Sequence, residues 1–278
     1  TMLMFLYSAK WLHKENKAEG HLDILGTVLS AAVVFAFVYA IDGAENPLPW
    51  AVVAGGCAVA FVGVETKATL PIIPSSLFRS RNRCNGYVSR LLLIGALMGY
   101  NFAISVFLQD KFGFTPLQTG CSFLPMTMTT FCGALAVPEM VRRHGNIPTL
   151  IAGLVMLVAG FAWLAGTGSN SSYLLSVCLP MILIGFGQGL AMSPLTNLGI
   201  EGVGEKDTGA ASGLVNVTHQ IGGAVGLSLM VATSENITDA TMRFTHSMAV
   251  AVLLISSALI ITILIQHPKI PKKAKRCF

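Results

Sequence analysis

The chain has 278 residues, of which 11% are charged and 53% are apolar, and its mean hydropathy is +0.68. An ordinary soluble domain has about a quarter charged residues, so this composition excludes a water-covered fold and favours a lipid-facing one. The formal net charge is +5, but the basic residues form short clusters between apolar runs, which indicates membrane topology and no nucleic-acid partner.

The predicted elements are membrane-spanning helices, because stretches of about 20 residues without Asp, Glu, Lys or Arg are long enough to cross a bilayer. The longest stretches are divided at polar, Gly-rich or Pro-rich breaks such as 167–172. The sequence predicts a partial span and eight whole ones, at 1–9 (partial), 22–41, 48–64, 88–108, 116–137, 147–166, 173–199, 208–232 and 247–266.

The orientation of these spans follows from their connectors. Sixteen of the 18 Lys and Arg residues fall on one side, including the cluster from Lys67 to Arg90, and only Lys111 and Arg243 fall on the other. Positively charged connectors stay in the cytoplasm, so the segment before residue 22 and the carboxy-terminal tail are predicted to be cytoplasmic.

Signatures of enzymes and of metal sites are missing from the sequence. The six cysteines form no CxxC pair and no spacing that suits zinc. No GxSxG, HExxH or P-loop pattern occurs either. We therefore predict that the chain is not an enzyme and uses no cofactor and no metal.

Short motifs along most of the chain resemble one family when their order and spacing are taken together. That family is the fourteen-helix drug:proton antiporters of the major facilitator superfamily, the EmrB/QacA type. The matching segments are Leu22 to Gly26, Glu65 with Pro71 to Arg79, Phe107 to Gln109, Gly113 to Gly120, Leu124 with Pro125, and Gly209 to Gly226. One departure is His219, where the family usually carries Arg.

The resemblance implies an all-α integral membrane protein made of a carboxy-terminal six-helix bundle and two preceding extra helices, about eight transmembrane helices in all. Since the chain opens on Thr1, its start looks like the tail of a helix that begins outside it. The implied division is 1–21 (helix end and cytoplasmic loop), 22–66 (two inter-bundle helices), 67–85 (basic linker), 86–266 (six-helix bundle) and 267–278 (basic tail).

The resemblance also implies a function, which is proton-coupled export of drugs or other lipophilic small molecules. The expected partners are a small-molecule substrate, protons, the lipid bilayer and a missing amino-terminal six-helix bundle, so this chain alone is expected to be a fragment unable to run the cycle. The expected location is the cell membrane, multi-pass, of a bacterium. Two alternatives stay open: a non-transporting membrane partner or scaffold half, and an exporter of a specific metabolite or siderophore.

The segment from Gly209 to Gly226 carries the main site candidates. Gly209, Gly213, Asn216, Gln220 and Gly223 recur at helical spacing, so they share one face. That face either packs closely on another helix or borders a water-filled path. Its ionisable neighbour His219 lies away from the span edges and is the candidate for proton coupling. The alternative is a neutral His219 that bonds a neighbour.

Two further helices, 88–108 and 173–199, supply candidates for a substrate cavity. The resemblance places this cavity between the helices that line the centre of the bundle. In 173–199 a stripe runs through Gly185, Gln188, Gly189, Met192 and Thr196. Apolar walls with a few amides and flexible Met side chains suit lipophilic drugs, and core packing is the alternative for each residue. The candidates are Met98, Tyr100, Asn101, Ser105, Gln188, Met192, Asn216 and Gln220.

The segment from Gly133 to Gly145 resembles the superfamily's cytoplasmic loop between its second and third helices, in which acidic and basic residues latch the bundles. The latch candidates are Glu139, Arg142 and Arg143. Glu139 and Arg142 are three residues apart and could also pair locally. A plain solvated turn is the alternative.

Overall fold

The computed structural model describes residues 24–42, 46–65, 74–168 and 172–266. Within these ranges every regular element is helical. The α-helices are, in chain order, α1 (Ile24–Asp42), α2 (Pro47–Glu65), α3 (Arg81–Phe112), α4 (Pro116–Ser122), α5 (Leu124–His144), α6 (Asn146–Ala165), α7 (Leu179–Ile200), α8 (Thr208–Ser234) and α9 (Ala240–Gln266). Three short turns of helix precede α3, α7 and α8, at Ser75–Arg79, Leu174–Cys178 and Glu205–Asp207.

Among the residues that the structure describes, six helical segments are long and apolar enough to cross a membrane. They are α3, α4 with α5, α6, α7 with its preceding turn, α8 with its preceding turn, and α9. The helices α1 and α2 are also apolar, at 19 residues each. Each of the eight whole spans predicted from the sequence overlaps one of these elements, and the prediction of an all-α membrane protein with about eight helices is confirmed. The partial span 1–9 and the tail 267–278 lie outside the described residues.

Several helices extend beyond the predicted spans, because residues at the membrane edge remain helical. Helix α3 begins at Arg81, where the Ser80 side chain caps it by accepting a bond from the Arg83 amide, and it ends at Gly113 in a left-handed conformation (φ 65°). The prediction of a loop from Gly133 to Gly145 is wrong, since α5 continues to His144. Its last turn carries basic side chains, which favour a helix carboxy-terminus and can reach polar surroundings.

The bundle is organised around α3, which packs against α7, α8 and α9. The main core lies where α3 meets α6, α7 and α9, and the fully buried Tyr100 and Phe161 stand edge to face there at 5.3 Å. A smaller cluster joins the turn before α3 to the start of α8 through Leu77, Tyr87 and Leu214. These contacts fix α3 at the centre of the six-helix unit.

Contacts between helix ends define two ends of the bundle. At one end the start of α3 meets the last turns of α7 and α9: Arg83 Nη1 donates to the Glu201 carbonyl at 2.9 Å, and buried Asn85 accepts from Thr262 at 3.3 Å. At the other end Arg243 of α9 forms an ion pair with Asp110 of α3. The first end holds most of the described Arg residues, and we call it the Arg-rich end.

The crossing of α3 and α8 is a direct contact between backbones. A Cβ added at Gly226 would lie 2.2 Å from the Gly95 Cα, and one added at Gly222 would lie 2.4 Å from the Leu91 carbonyl oxygen. Glycines four residues apart allow such an approach. Of the glycines in the predicted stripe, Gly223 faces α3, because an added Cβ would lie 3.2 Å from the Met98 Cγ. A Cβ added at Gly209 or Gly213 would meet nothing within 4 Å in the described chain, and the closest backbone contacts lie on the neighbouring face of α8.

Candidate functional site

The crossing places a cavity of about 260 Å³ beside α8, between α3 and α1. Met98 from α3 and Val38 from α1 line it together with residues of α8. The lining residues are Val38, Met98, His219, Gln220, Gly223, Ala224 and Leu227. The structure thus brings together three of the predicted site residues, Met98, Gln220 and His219, in a mostly apolar pocket.

A buried arginine, Arg90, contacts the cavity residue His219. The sequence places Arg90 in the cytoplasmic basic cluster. Arg90 is 8% exposed and lies nine residues inside α3, since that helix begins at Arg81. Its Nη1 donates to Thr196 Oγ1 at 2.8 Å, and its Nη2 lies 3.5 Å from His219 Nδ1. The sequence singles out only His219 as an ionisable side chain away from the span edges, and the structure adds Arg90 as a second one, buried within the bundle. The predicted span 88–108 already contained Arg90 near its edge.

The contact between Arg90 and His219 favours one form of the imidazole. A guanidinium can only donate hydrogen bonds, so Nδ1 of His219 accepts this bond only when it carries no proton. The ring proton is then on Nε2, and the ring is neutral. The contact is compatible with the alternative in which His219 stays neutral and bonds a neighbour.

The other cavity candidates on α3 lie elsewhere. Tyr100 is fully buried against Phe161 of α6, and its hydroxyl has no hydrogen-bond partner, so it belongs to the core and does not line this cavity. Asn101 and Ser105 are half-buried, and Ser105 donates locally to the Asn101 carbonyl at 2.7 Å. The face of α3 that reaches the cavity is the one that carries Met98.

The predicted stripe on α7 is used mainly for packing against α5. A Cβ at Gly185 would lie 2.3 Å from the Met126 carbonyl oxygen, and one at Gly189 would lie 2.3 Å from that of Thr130. Gln188 and Met192 are half-buried, and Gln188 Oε1 has no hydrogen-bond partner. Neither side chain lines the cavity beside α8.

The latch candidates come together in the last turns of α5. Glu139 pairs with Arg142 at 2.5 Å and with Arg143, and all three side chains are exposed. The local pairing weighed from the sequence is therefore present. It leaves the carboxylate satisfied within its own helix.

The comparison with known protein families decides the identity of this helical bundle. Residues 19–227 match the sequence profile of the Major Facilitator Superfamily. The chain belongs to this superfamily. Membership confirms the predicted fold class and the prediction that the chain is not an enzyme, because the superfamily consists of membrane transporters.

Several relatives from this superfamily carry names that refer to antibiotics. The lincomycin resistance protein of Streptomyces lincolnensis is 29% identical over 78% of this chain and 47% of its own length. The cephamycin export protein CmcT of Amycolatopsis lactamdurans is 32% identical over 77% and 46%. The uncharacterized MFS-type transporter EfpA of Mycobacterium tuberculosis is 29% identical over 90% and 50%. The chain spans about half the length of these curated relatives.

Metal chemistry has no support at this site. Among the residues that the structure describes, no group of three or more His, Cys, Asp or Glu side chains is placed to hold a metal ion. The site therefore consists of an apolar cavity, the amide of Gln220, and an imidazole bonded to a buried guanidinium.

Proposed function

We propose that this chain is the carboxy-terminal part of a fourteen-helix exporter that moves antibiotics or other lipophilic small molecules out of the cell in exchange for protons. The observation that carries the proposal is the cavity beside α8, in which Met98 and Val38 supply apolar walls and Gln220 and His219 supply polar groups. Such a lining suits lipophilic molecules with a few polar atoms. The antibiotic resistance and export named for the relatives agree with this substrate class.

The polar face next to the cavity supports a second bundle opposite this one. Asn216 and Gln220 are exposed, and Gly209 and Gly213 have open space beside them. Exposed amides are costly against lipid. This face of α8 is therefore suited to a water-filled path or to the facing half of a larger transporter, in agreement with relatives about twice as long as this chain.

Proton exchange is proposed to involve His219. A proton taken up at Nδ1 would remove the acceptor of the Arg90 bond and place two positive groups about 3.5 Å apart. The two side chains would then have to separate. Proton binding at His219 is thereby linked to a rearrangement at the cavity wall.

The proposed location is a bacterial plasma membrane, with the Arg-rich end in the cytoplasm. Arg79, Arg81, Arg83, Arg142 and Arg143 lie at or near the ends of helices that meet there, while Lys111 and Arg243 lie at the other end. This asymmetry is the one that the positive-inside rule describes.

The test is an efflux assay with the full-length protein, carrying an amino-terminal half, in a bacterium that lacks its own drug pumps. Accumulation of labelled lincomycin and of a labelled cephamycin is measured with and without a protonophore, beside cells that carry an empty vector and cells that express this chain alone. We expect the full-length protein to lower accumulation only while the proton gradient is intact, and the chain alone to have no effect.

Each part of the proposal has its own contradicting result. Accumulation equal to that of the empty vector for every compound would overturn drug export. Efflux that persists after the protonophore would overturn proton coupling. Gradient-driven efflux by this chain alone would overturn the requirement for a second bundle.

A further inference from the structure

We propose that the cavity beside α8 is selective for molecules that carry a negatively charged oxygen, such as a carboxylate or phenolate, which is held by His219 with Arg90 as the compensating charge behind it. This inference rests on the proposed function and names the substrate class of the same site. It goes against the common expectation that a drug cavity of this kind prefers lipophilic cations.

The first argument is the charge balance of the buried arginine. Arg90 is 8% exposed, and its hydrogen-bond partners are Thr196, which carries no charge, and His219, which accepts this bond only in its neutral form. Within the described ranges the carboxylates that form ion pairs are Glu139 and Asp110, and both pair with other arginines. A buried positive charge without a negative partner is unfavourable, so this site gains when an anion arrives.

The second argument is that the guanidinium is not fully bonded. Arg90 Nε is buried and has no hydrogen-bond partner. Buried donors are nearly always paired in native proteins. The incomplete bonding shows that the local structure does not neutralise Arg90 by itself.

The third argument is the position of the His219 ring proton that can bond an anion. His219 lines the cavity, and its Nδ1 is turned to Arg90, so the proton on Nε2 lies on the opposite side of the ring from that bond. The imidazole can therefore donate to an acceptor on its far side while it accepts from the arginine. Hydrogen bonds in such a chain polarise one another, which strengthens the bond to a charged acceptor. Arg90 acts here as a positioning residue and as a fixed positive charge.

The test is a binding measurement with a pair of dyes that differ in one group. Rhodamine B carries a free carboxylate, and its ethyl ester has the same fluorophore without that negative charge. Each dye is titrated against this chain and against the full-length protein, both purified in a non-ionic detergent, and binding is followed by fluorescence anisotropy with detergent alone subtracted. We expect the acid to bind about tenfold or more tightly than the ester, as for a hydrogen bond to a charged group.

Four variants separate a charge effect from a loss of structure. Arg90→Gln removes the positive charge and should abolish the preference for the acid by weakening the binding of the acid itself. Arg90→Lys keeps the charge but not the planar pair of donors, so it should retain a preference for the acid that is weaker than that of the wild type. His219→Phe should also abolish the preference. Arg142→Gln is the matched control, because it removes an exposed arginine outside the cavity, and it should leave the preference intact.

Two results would overturn the inference. The acid and the ester could bind equally to the wild type, which includes no binding of either. The preference could survive Arg90→Gln. If it survives while Arg90→Gln lowers the melting temperature of the full-length protein, the counter-charge of Arg90 is an acidic side chain of the facing bundle. The binding assay needs no transport, so its result can be interpreted even if the efflux experiment fails.

Discussion

Replacing Gly226 by alanine tests whether the crossing of α3 and α8 holds the bundle together. The added Cβ would lie 2.2 Å from the Gly95 Cα, 2.3 Å from its carbonyl oxygen and 2.4 Å from its carbonyl carbon. All three atoms belong to the backbone, so no side chain can turn away to make room. The matched control is Gly213→Ala in the same helix, where an added Cβ meets nothing within 4 Å.

The size of the effect follows from this geometry. Ordinary contact begins near 3.4 Å, so the two backbones must separate by roughly 1.2 Å, and forced overpacking of this kind costs about 1–3 kcal/mol. Both substitutions gain up to about 1 kcal/mol of helix propensity, and this gain cancels when the two variants are compared. A difference of about 2 kcal/mol corresponds to about 4–8 °C in melting temperature for a protein of this size.

The assay heats detergent-solubilised protein fused to a fluorescent reporter and follows the monodisperse fraction by size-exclusion chromatography. Gly226→Ala should melt below both the wild type and Gly213→Ala. The interpretation of the crossing as a rigid backbone contact would be refuted if the two alanine variants melted within about 1 °C of each other.

Substitutions at three further positions are predicted to have contrasting effects. Tyr100→Phe removes a buried hydroxyl without a hydrogen-bond partner, so the melting temperature should stay equal or rise, and a fall of more than about 2 °C would contradict this. Glu139→Gln removes an exposed carboxylate paired only within α5, so it should change the free energy of unfolding by less than about 1 kcal/mol, as measured in denaturant. His219→Ala and His219→Arg, made in the full-length protein, should both alter the pH dependence of efflux; an unchanged profile in both would remove His219 from proton coupling.

The positions of the spans could be predicted from the sequence because the bilayer imposes a simple rule, about 20 residues without charge. The helix ends could not, because charged residues outside the hydrocarbon layer remain helical. Arg90 shows the consequence. It lies two residues inside the predicted span 88–108. The structure, in which α3 begins at Arg81, places Arg90 in the helix interior, where its side chain is buried.

The sequence predicts only part of the site, for a related reason. Helical spacing shows which residues share a face, but it does not show which face meets a neighbour. Helix α8 has two faces rich in glycine, one through Gly209, Gly213 and Gly223 and one through Gly222 and Gly226. Only the second brings its backbone against the backbone of α3, while the first reaches α3 only at Gly223, beside the Met98 side chain. Tyr100 was grouped with Met98 from their proximity along α3, although its ring points to the core at Phe161.

The tight crossing also bears on the transport cycle proposed for the whole protein. Two helices packed as closely as α3 and α8 are at Gly95 and Gly226 would collide if one slid along the other or rotated about its own axis there. In the proposed cycle, a motion that exposes the cavity first to one compartment and then to the other would therefore move both helices as a single unit, with the hinge outside this pair.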